Sequence, residues 1–574
     1  MLDILFLNIH RRYLNSAPSH GGFLGIYLLS AFVRREGYEA KSFSGTLTAG
    51  LQHVDELCAA GEVDMIGLYC DYENVTENIF LSRHVKQTYN LPVIVGGPQA
   101  TALDEKFLRE SKCDAVVRGE GELTVLELMN FFLEDVGSLE KISGIAYLRG
   151  DKFAINPARP PIKNLDALPF VDEDCYLEPE DFSRDFSLMT GRGCPFNCAF
   201  CHEGIGRGVH FRSADNVLAE IDERLKNFPP DDELYILFTD DTFTLDGARV
   251  KKICDGLAER RKSRRFKFFC EGHVHTLYKN PEMIRHLVAG GCVRLQLGIE
   301  AGTEKVLRAY GKQSTPEEIF AVVRLCRDAG IEQVYGNIIL GGANFSRETF
   351  AADKKFAHEL IAEGQGVVEL GVVTFWPLAE TKMTRCPDEF GIKICDADFL
   401  TSVGDFPQVE TAELDRLTIL EMRRELTDEI SAQMVDMLEN WRVPTEKILS
   451  WLREARLRKN YSAWFAQLLQ REILFAYYEM LERGEGFHSA QVENLSTAHP
   501  LRVVALVKHL RRIDASTAQI CGETFSGNEL EILLLTTGKL SVEEISRRVN
   551  RSVPDVLKIL ARLERRHLIV YTLH

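Results

Sequence analysis

The sequence predicts an α/β protein: two successive parallel-sheet domains followed by a helical C-terminal third. Three observations carry that expectation. Short apolar runs rich in β-branched residues alternate with amphipathic helical stretches as far as about residue 380. A proline-rich crossing from Pro157 to Pro169 interrupts the alternation once. Shortly beyond it stand three cysteines in one loop-like stretch, Cys194-Pro-Phe-Asn-Cys198-Ala-Phe-Cys201.

At 574 residues the chain has room for about three or four domains, each with its own core. A net charge of −17 argues against broad nonspecific contact with nucleic acid or anionic membranes. No apolar run reaches the roughly 18 residues of a membrane span, and Met1-Leu2-Asp3 lacks a signal peptide's charged and apolar regions, so a soluble, cytoplasmic protein is expected. Most of the 14 cysteines are scattered in apolar segments, as Cys326 is, and read as reduced, buried small hydrophobes. Cys386 and Cys395 form a loose pair that lacks the further ligands a second cluster would need.

Taken in order, residues 1–145 read as one domain. Ile4-Leu5-Phe6-Leu7 is a buried strand and 22–36 a helix ending at Gly37. Met65 to Leu68, Pro92 to Val95 and Ala115 to Val117 are further strands of a parallel sheet. Ligands on such sheets bind at the carboxyl ends of the strands, where this sequence gathers Gly21-Gly22, Gly96-Gly97-Pro98 and Gly119-Glu120-Gly121. Tight turns alone would also explain the glycines. Residues 146–185 form a linker with a strand pair, Gly144 to Leu148 and Phe153 to Ile155, before the prolines.

Residues 186–400 give six strand-like runs, with helical stretches between them: Ser187 to Met189, Tyr235 to Phe238, Lys267 to Phe269, Val293 to Leu297, Tyr335 to Leu340 and Val367 to Val373. Such alternation predicts a parallel barrel with its site at the carboxyl ends of the strands. Asp240 and Asp241 follow the second run, Glu300 the fourth, and Ile338 to Gly341 end the fifth. Asp240 and Asp241 could instead cap a helix starting near Asp246, and Glu300 could be an anion at a helix N-terminus. His273 and His275 would share one face if extended, as polar lining of the barrel mouth or as metal ligands.

Residues 401–515 are dense in amphipathic helix formers. Residues 520–574 separate from them: an apolar helix over Leu530 to Leu535, a capping box at Ser541 to Glu544, a third helix opening at Ser552-Val553-Pro554, and a closing strand, Leu568 to Tyr571. Arg547, Arg548, Arg551, Lys558, Arg562, Arg565 and Arg566 accompany these helices. A structural cap, a peptide-binding module and a DNA reader are all compatible with this segment.

Three thiolates at C-x3-C-x2-C can hold three irons of a cubic 4Fe–4S cluster and leave the fourth open. Zinc usually takes four ligands, and His202, beside Cys201, is poorly placed to close a tetrahedron. The spacing, with Phe200 before the last cysteine, resembles the radical S-adenosylmethionine (SAM) superfamily. The stretch from Val95 to Thr101, together with Asp114 to Glu122, resembles the cobalamin-binding domain that precedes many such barrels. The resemblance implies a Rossmann-like cobalamin-binding domain, a partial (β/α)6 radical SAM barrel and a C-terminal helical region with a winged-helix-like module.

It further implies a 4Fe–4S cluster on Cys194, Cys198 and Cys201. SAM is expected near Phe200, Asp240, Asp241, Glu300, Ile338 and Gly341. Cobalamin is expected near Gly21, Gly22, Gly96, Gly97, Pro98, Gln99, Gly119, Glu120 and Gly121. The family's D-x-H-x-x-G signature is altered around His10 to Asn8-Ile9-His10-Arg11-Arg12-Tyr13, which removes the carboxylate that would orient a cobalt-binding imidazole. The usual G-L-P ending of the fifth strand is Gly341-Gly342-Ala343 here.

In the family, reductive cleavage of SAM yields a 5′-deoxyadenosyl radical, with flavodoxin or ferredoxin as the type of electron donor. The expected activity is methylation of an unactivated carbon of a peptide or natural-product substrate. A cyclase or ring-rearranging enzyme is the first alternative, and an iron–sulfur regulator binding DNA through its C-terminal module the second. The residues do not identify a catalytic group.

Overall fold

A computed structural model describes residues 1–10, 24–182, 186–202, 208–458, 462–485, 502–506, 511–514, 517–520 and 523–572. Gly21 and Gly22 lie outside the described residues. The chain forms two compact units, one of residues 1–360 and 370–426, the other of residues 361–369 and 427–574. Among the described residues no helix is long and apolar enough to cross a membrane.

The larger unit opens with β1 (Ile4–Ile9), α1 (Leu24–Arg35), β2 (Ala40–Gly45), α2 (Leu47–Ala60), β3 (Ile66–Tyr69), α3 (Val75–Thr88), β4 (Val93–Gly96), α4 (Pro98–Ser111), β5 (Ala115–Val117) and α5 (Glu122–Glu134). The run Ile4 to Ile9 is buried throughout because both faces of the sheet are covered. Ile4 and Phe6 enter one core with α1 and α5, while Leu5, Leu7 and Ile9 enter the other. The parallel order β2-β1-β3-β4-β5 reverses direction between β1 and β3, the position where open α/β sheets take ligands. The strand pair of the crossing segment, β6 (Ile145–Arg149) and β7 (Lys152–Ile155), extends this sheet antiparallel beyond β5.

The second sheet is built from β8 (Ser187–Leu188), β11 (Leu234–Phe238), β12 (Phe266–Gly272), β13 (Cys292–Leu297), β14 (Gln333–Leu340) and β15 (Val368–Thr374), which neighbour one another in chain order. A short hairpin of β9 (Gly191–Arg192) and β10 (His210–Phe211) brackets the cysteines. All six strands expected of the barrel are present. Burial alternates along β12 and β14, so one face of each strand packs against helices and the other is half open. Local signals set the helices: Thr315 caps a helix over Pro316–Ala329, with Pro316 in its first turn and Gly330 at its end in the left-handed region.

The smaller unit contains the helices Thr445–Arg458, Ala463–Leu469 and Glu472–Glu482. Trp464 is fully buried and donates its indole N–H to the Val368 carbonyl at 2.8 Å. Further along, the helices Gly527–Leu535, Val542–Arg548 and Val553–Arg565 accompany an antiparallel sheet in which Arg502–Ala505 lies between Thr537–Ser541 and Ile569–Thr572. The capping box at Ser541 and Glu544 is formed. Thr537–Ser541 carries too little apolar alternation to announce itself in the sequence, and Arg502–Ala505 falls in a stretch whose helix formers predict a helix.

Phe268 is fully buried between Phe238 and Phe243, with ring centroids at 5.2 and 6.3 Å. Phe268→Ala should lower stability by about 3–5 kcal/mol, read as a reduced urea midpoint with an unchanged slope.

Candidate active site

The carboxyl ends of both parallel sheets open on one cavity of about 660 Å³ inside the larger unit, within the usual size range of small-molecule sites. Its walls include Gly96, Gly97, Pro98, Gly119, Glu120 and Gly121 from the first domain, and Cys194, Cys198, Phe200 and Cys201 from the second.

The cysteines sit on the loop between β9 and β10. Gly193 has φ +83° and lies so close to Gly208 that a Cβ would overlap its carbonyl oxygen, which fixes glycine at the base of the loop. The loop rests on a turn at Tyr310-Gly311-Lys312. The Ala199 N–H donates to the Tyr310 carbonyl at 2.8 Å, and a Cβ on Gly311 would stand 2.6 Å from the Asn197 carbonyl. Burial pushes the Cys201 thiol up to about 12, with Cys198 and Cys194 adding repulsion in the same direction. Cys194 Sγ lies 3.6 Å from Thr242 Oγ1.

No sequence motif singles out Lys312, the last residue of that turn. Its Nζ pairs with Glu300 Oε1 at 2.8 Å and lies 5.6 Å over the Phe200 ring. Burial alone would lower its pKa, but Glu300 and the neighbouring thiols hold it above the usual lysine value. Phe200 is braced edge-on by Tyr310 at 5.2 Å.

Glu300 lies in the left-handed region at φ +61°, uncommon for a side chain larger than asparagine. Its backbone bridges to β14, its N–H donating to the Asn337 carbonyl and its carbonyl accepting from Ile339 N–H. The nearest helix begins at Glu304, so Glu300 is no helix-terminal anion.

The remaining residues named from sequence divide. Asp241 lines the cavity, and burial raises its pKa, partly offset by a hydrogen bond from the Gly193 N–H. Asp240 points into the protein instead: it accepts from Thr190 N at 2.6 Å and Thr190 Oγ1 at 2.5 Å and pairs with Arg249 at 3.6 Å. Neither aspartate caps the following helix, Gly247–Arg260, which Asp246 caps. Ile338 is fully buried, and Gly341 faces Ile419 and Val409. Gln99 is buried outside the cavity wall and donates to the Phe399 carbonyl at 3.0 Å.

The two histidines do not share a face, because β12 ends at Gly272 and a helix, Val274–Lys279, follows. His273 lines the cavity, stacked on Phe196 at 3.7 Å, and burial pushes its pKa down to about 4. His275 pairs with Glu318 at 3.1 Å. Glu271 and Gln296 join the cavity wall from the half-open faces of β12 and β13, with Gln296 Nε2 donating to Glu271 Oε1 at 3.1 Å. The sequence reading ended that strand at Phe269 and so missed Glu271.

The residues fit the expected groups. Among the described residues no three Cys, His, Asp or Glu side chains converge on a single ion. A cubane needs no such convergence, since each thiolate takes a different iron. The wall carries Glu120, Glu122, Asp241, Glu271 and Glu300 against Arg192 and Lys312, an acidic excess suited to the sulfonium and ammonium of SAM. On the cobalamin side the buried Glu120 Oε1 lies 3.5 Å from Arg192 Nη1 and accepts no hydrogen bond, which leaves it capacity for an amide group on a corrin rim.

Comparison with known proteins agrees with this geometry. Residues 188–357 match the radical SAM superfamily and residues 13–129 the B12 binding domain. An uncharacterized methyltransferase of Pyrococcus horikoshii is 31% identical over 347 residues, covering 59% of this chain and 73% of that protein. The chain therefore belongs to the radical SAM superfamily, among members that carry a B12-binding domain.

The anaerobic magnesium-protoporphyrin IX monomethyl ester cyclase of Cereibacter sphaeroides is 25% identical over 272 residues, 46% of this chain and 44% of that protein, so less than half of that relative is matched. The fold is similar to that of TsrM from Kitasatospora setae, a radical SAM methyltransferase solved with cobalamin and a 4Fe–4S cluster, with a TM-score of 0.59 and 17% identity over 75% of this chain and 89% of that one.

Burial, then Asp241 and Glu300, push the Glu271 pKa up to about 7 from 4.5, so this carboxyl weakens the fold once it ionises. In the iron-free protein, Glu271→Gln should match the wild type in stability below about pH 4.5 and exceed it above about pH 7, read from urea midpoints across pH.

Proposed function

We propose that the protein methylates an unactivated carbon of a peptide or natural-product substrate. One observation carries the reading: the three cysteines and the cobalamin-side Gly96-Gly97 and Gly119 to Gly121 loops line the same cavity. When bound, the cluster and SAM supply a radical able to abstract hydrogen from carbon, and cobalamin supplies the methyl group.

The chain's own residues do the rest. Cys194, Cys198 and Cys201 would hold three irons, leaving the fourth for SAM. Asp241, in the cavity wall, would accept from an ammonium, and Glu300, fixed by its bridge to β14, from ribose hydroxyls. Lys312 pairs with Glu300 at 2.8 Å and brings a cation to the thiols. Gly119 and Gly121 leave backbone exposed to a broad, flat ligand, and Glu120 offers an oxygen that accepts no hydrogen bond within the protein. Apolar Leu24, Leu28, Leu29 and Val125 line the cobalamin side, and Phe196 and Phe200 the cysteine loop, limiting water where a radical must survive.

The reconstituted, reduced protein should convert SAM to 5′-deoxyadenosine, and Cys194→Ala, Cys198→Ala and Cys201→Ala together should remove both this product and the iron–sulfur absorbance. Product formation by the triple variant would refute the assignment. With its true substrate the enzyme should also form S-adenosylhomocysteine, because each methyl group delivered through cobalamin must be replaced. Its absence during turnover would favour the cyclase-like alternative.

The C-terminal sheet supports recruitment of an extended peptide. Thr537–Ser541 is an edge strand with exposed residues alternating along it, a geometry suited to strand addition. Tethering by this route would raise the local concentration of the reacting segment. A chain ending at Glu485, which removes the whole sheet, should retain SAM cleavage and lose affinity for its peptide. Unchanged affinity would leave the sheet without a recruiting role.

A further inference from the structure

Between the cysteine loop and the cobalamin-side loop lies a buried charge cluster whose role goes beyond holding either group. Its position follows from strand geometry. Consecutive residues of an extended strand face opposite ways. Gly191 and Gly193 both face the second strand of the hairpin: a Cβ on Gly191 would stand 2.7 Å from Phe211, and one on Gly193 would overlap Gly208. Arg192 must therefore leave on the other face, and there it meets the first domain.

The contacts of Arg192 bind several segments together. Its Nη1 lies 3.4 Å from Glu122 Oε2 and 3.5 Å from Glu120 Oε1, and its Nη2 pairs with Glu122 Oε1. Its Nε donates to the sulfur of Met189, at the end of β8, at 3.2 Å. The second oxygen of Glu120 accepts from the Ile162 N–H at 2.5 Å, which adds the crossing segment. The arginine side chain is 9% exposed and each carboxylate 4%. Met189, although it follows a barrel strand, is packed in the core beneath α1 and α5.

A plain structural bolt would balance its charges, and an apolar contact would often serve as well. Here two carboxylates face one guanidinium, and Glu120 Oε1 has no hydrogen bond. All three side chains border the cavity. Glu120 and Glu122 flank Gly121, so a guanidinium that moves between them acts on the backbone of the cobalamin-side loop. Arg192 is separated from Cys194 by Gly193 alone, whose tight contact with Gly208 leaves the segment little freedom to absorb a displacement.

We propose that Arg192, Glu120 and Glu122 couple the two halves of the cavity, so that filling the SAM side changes cobalamin affinity and filling the cobalamin side changes SAM affinity by the same factor. The proposal rests on the cofactor reading above. Arg192 is a positioning residue: it acts through the carboxylates on one side and through the strand leading to Cys194 on the other. Binding linkage of this kind is reciprocal, which gives the proposal a signature that simple anchoring lacks.

The test uses the full chain with its cluster reconstituted, hydroxocobalamin as one probe and SAM as the other. Cobalamin affinity is measured by absorbance titration with and without SAM. SAM affinity is measured on the same oxidised protein by equilibrium dialysis, with and without hydroxocobalamin. In the wild type each ligand should change the other's dissociation constant by the same factor, about five-fold or more. Glu122→Gln should still bind both while the factor falls towards one, and Arg192→Lys, which keeps the charge but loses the fork, should lie between.

An unchanged factor in Glu122→Gln, or none in the wild type, overturns the proposal while the cofactor assignment stands. Wild-type protein that takes up no cobalamin overturns both. If Glu122→Gln fails to load iron, Glu120→Gln and Arg192→Lys decide the matter by the same two titrations.

Discussion

Strand polarity is the constraint on which the rest of this structure depends. In a parallel sheet every carboxyl end lies on the same side, so the loops that follow β3, β4 and β5 open together. The same holds for the barrel strands β8, β11, β12 and β13. The two sheets deliver these loops to one cavity, and residues more than a hundred positions apart, such as Gly119 and Glu271, border it. An antiparallel arrangement would send alternate loops to opposite ends and split the site.

The cavity's chemistry depends on how its buried charges are partnered. Lys312 and Glu300 satisfy each other at 2.8 Å, and Glu300 is held by backbone bonds rather than by a helix. Glu271 has an amide neighbour, and burial, then Asp241 and Glu300, raise its pKa, with Lys312 only partly offsetting them. These are environments in which a ligand's charge strongly changes the energy of the site, because low polarizability magnifies each unpaired charge. An acidic wall beside three thiols, balanced by few cations, is stable with a cationic ligand in place.

Much of this was legible in the sequence, for physical reasons. A strand buried on both faces leaves a continuous apolar run, as at Ile4 to Leu7. The half-open barrel strands leave apolar residues at alternate positions, as along β12 and β14, so both kinds could be read directly. The three cysteines, the Gly96-Gly97 and Gly119 to Gly121 loops, Asp241 and Glu300 all reached the cavity. Strand β2 was missed because Ala-Lys-Ser-Phe-Ser-Gly is mostly polar. Asp240 was read as a ligand contact because an aspartate pair looks alike in sequence, although one member turns inward to Thr190 and Arg249. Gln99 turns away to Phe399, some 300 residues along the chain, a contact that no local pattern encodes. Lys312 and Glu271 were missed for the opposite reason, since each sits in an ordinary stretch and gains its role from what the fold brings beside it. Arg192 stands in the glycine-flanked approach to the cysteines, but its partners Glu120 and Glu122 lie far back along the chain, where no local pattern encodes the contact.

The central claim is that one cavity serves both metal centres, and EPR of the protein carrying both a reduced cluster and Co(II) cobalamin tests it most directly. Two paramagnets in a shared cavity should interact, so the spectrum of the doubly loaded protein should be split or broadened and its relaxation faster than in either singly loaded form. A spectrum equal to the sum of the two separate ones would place the centres apart and contradict the account.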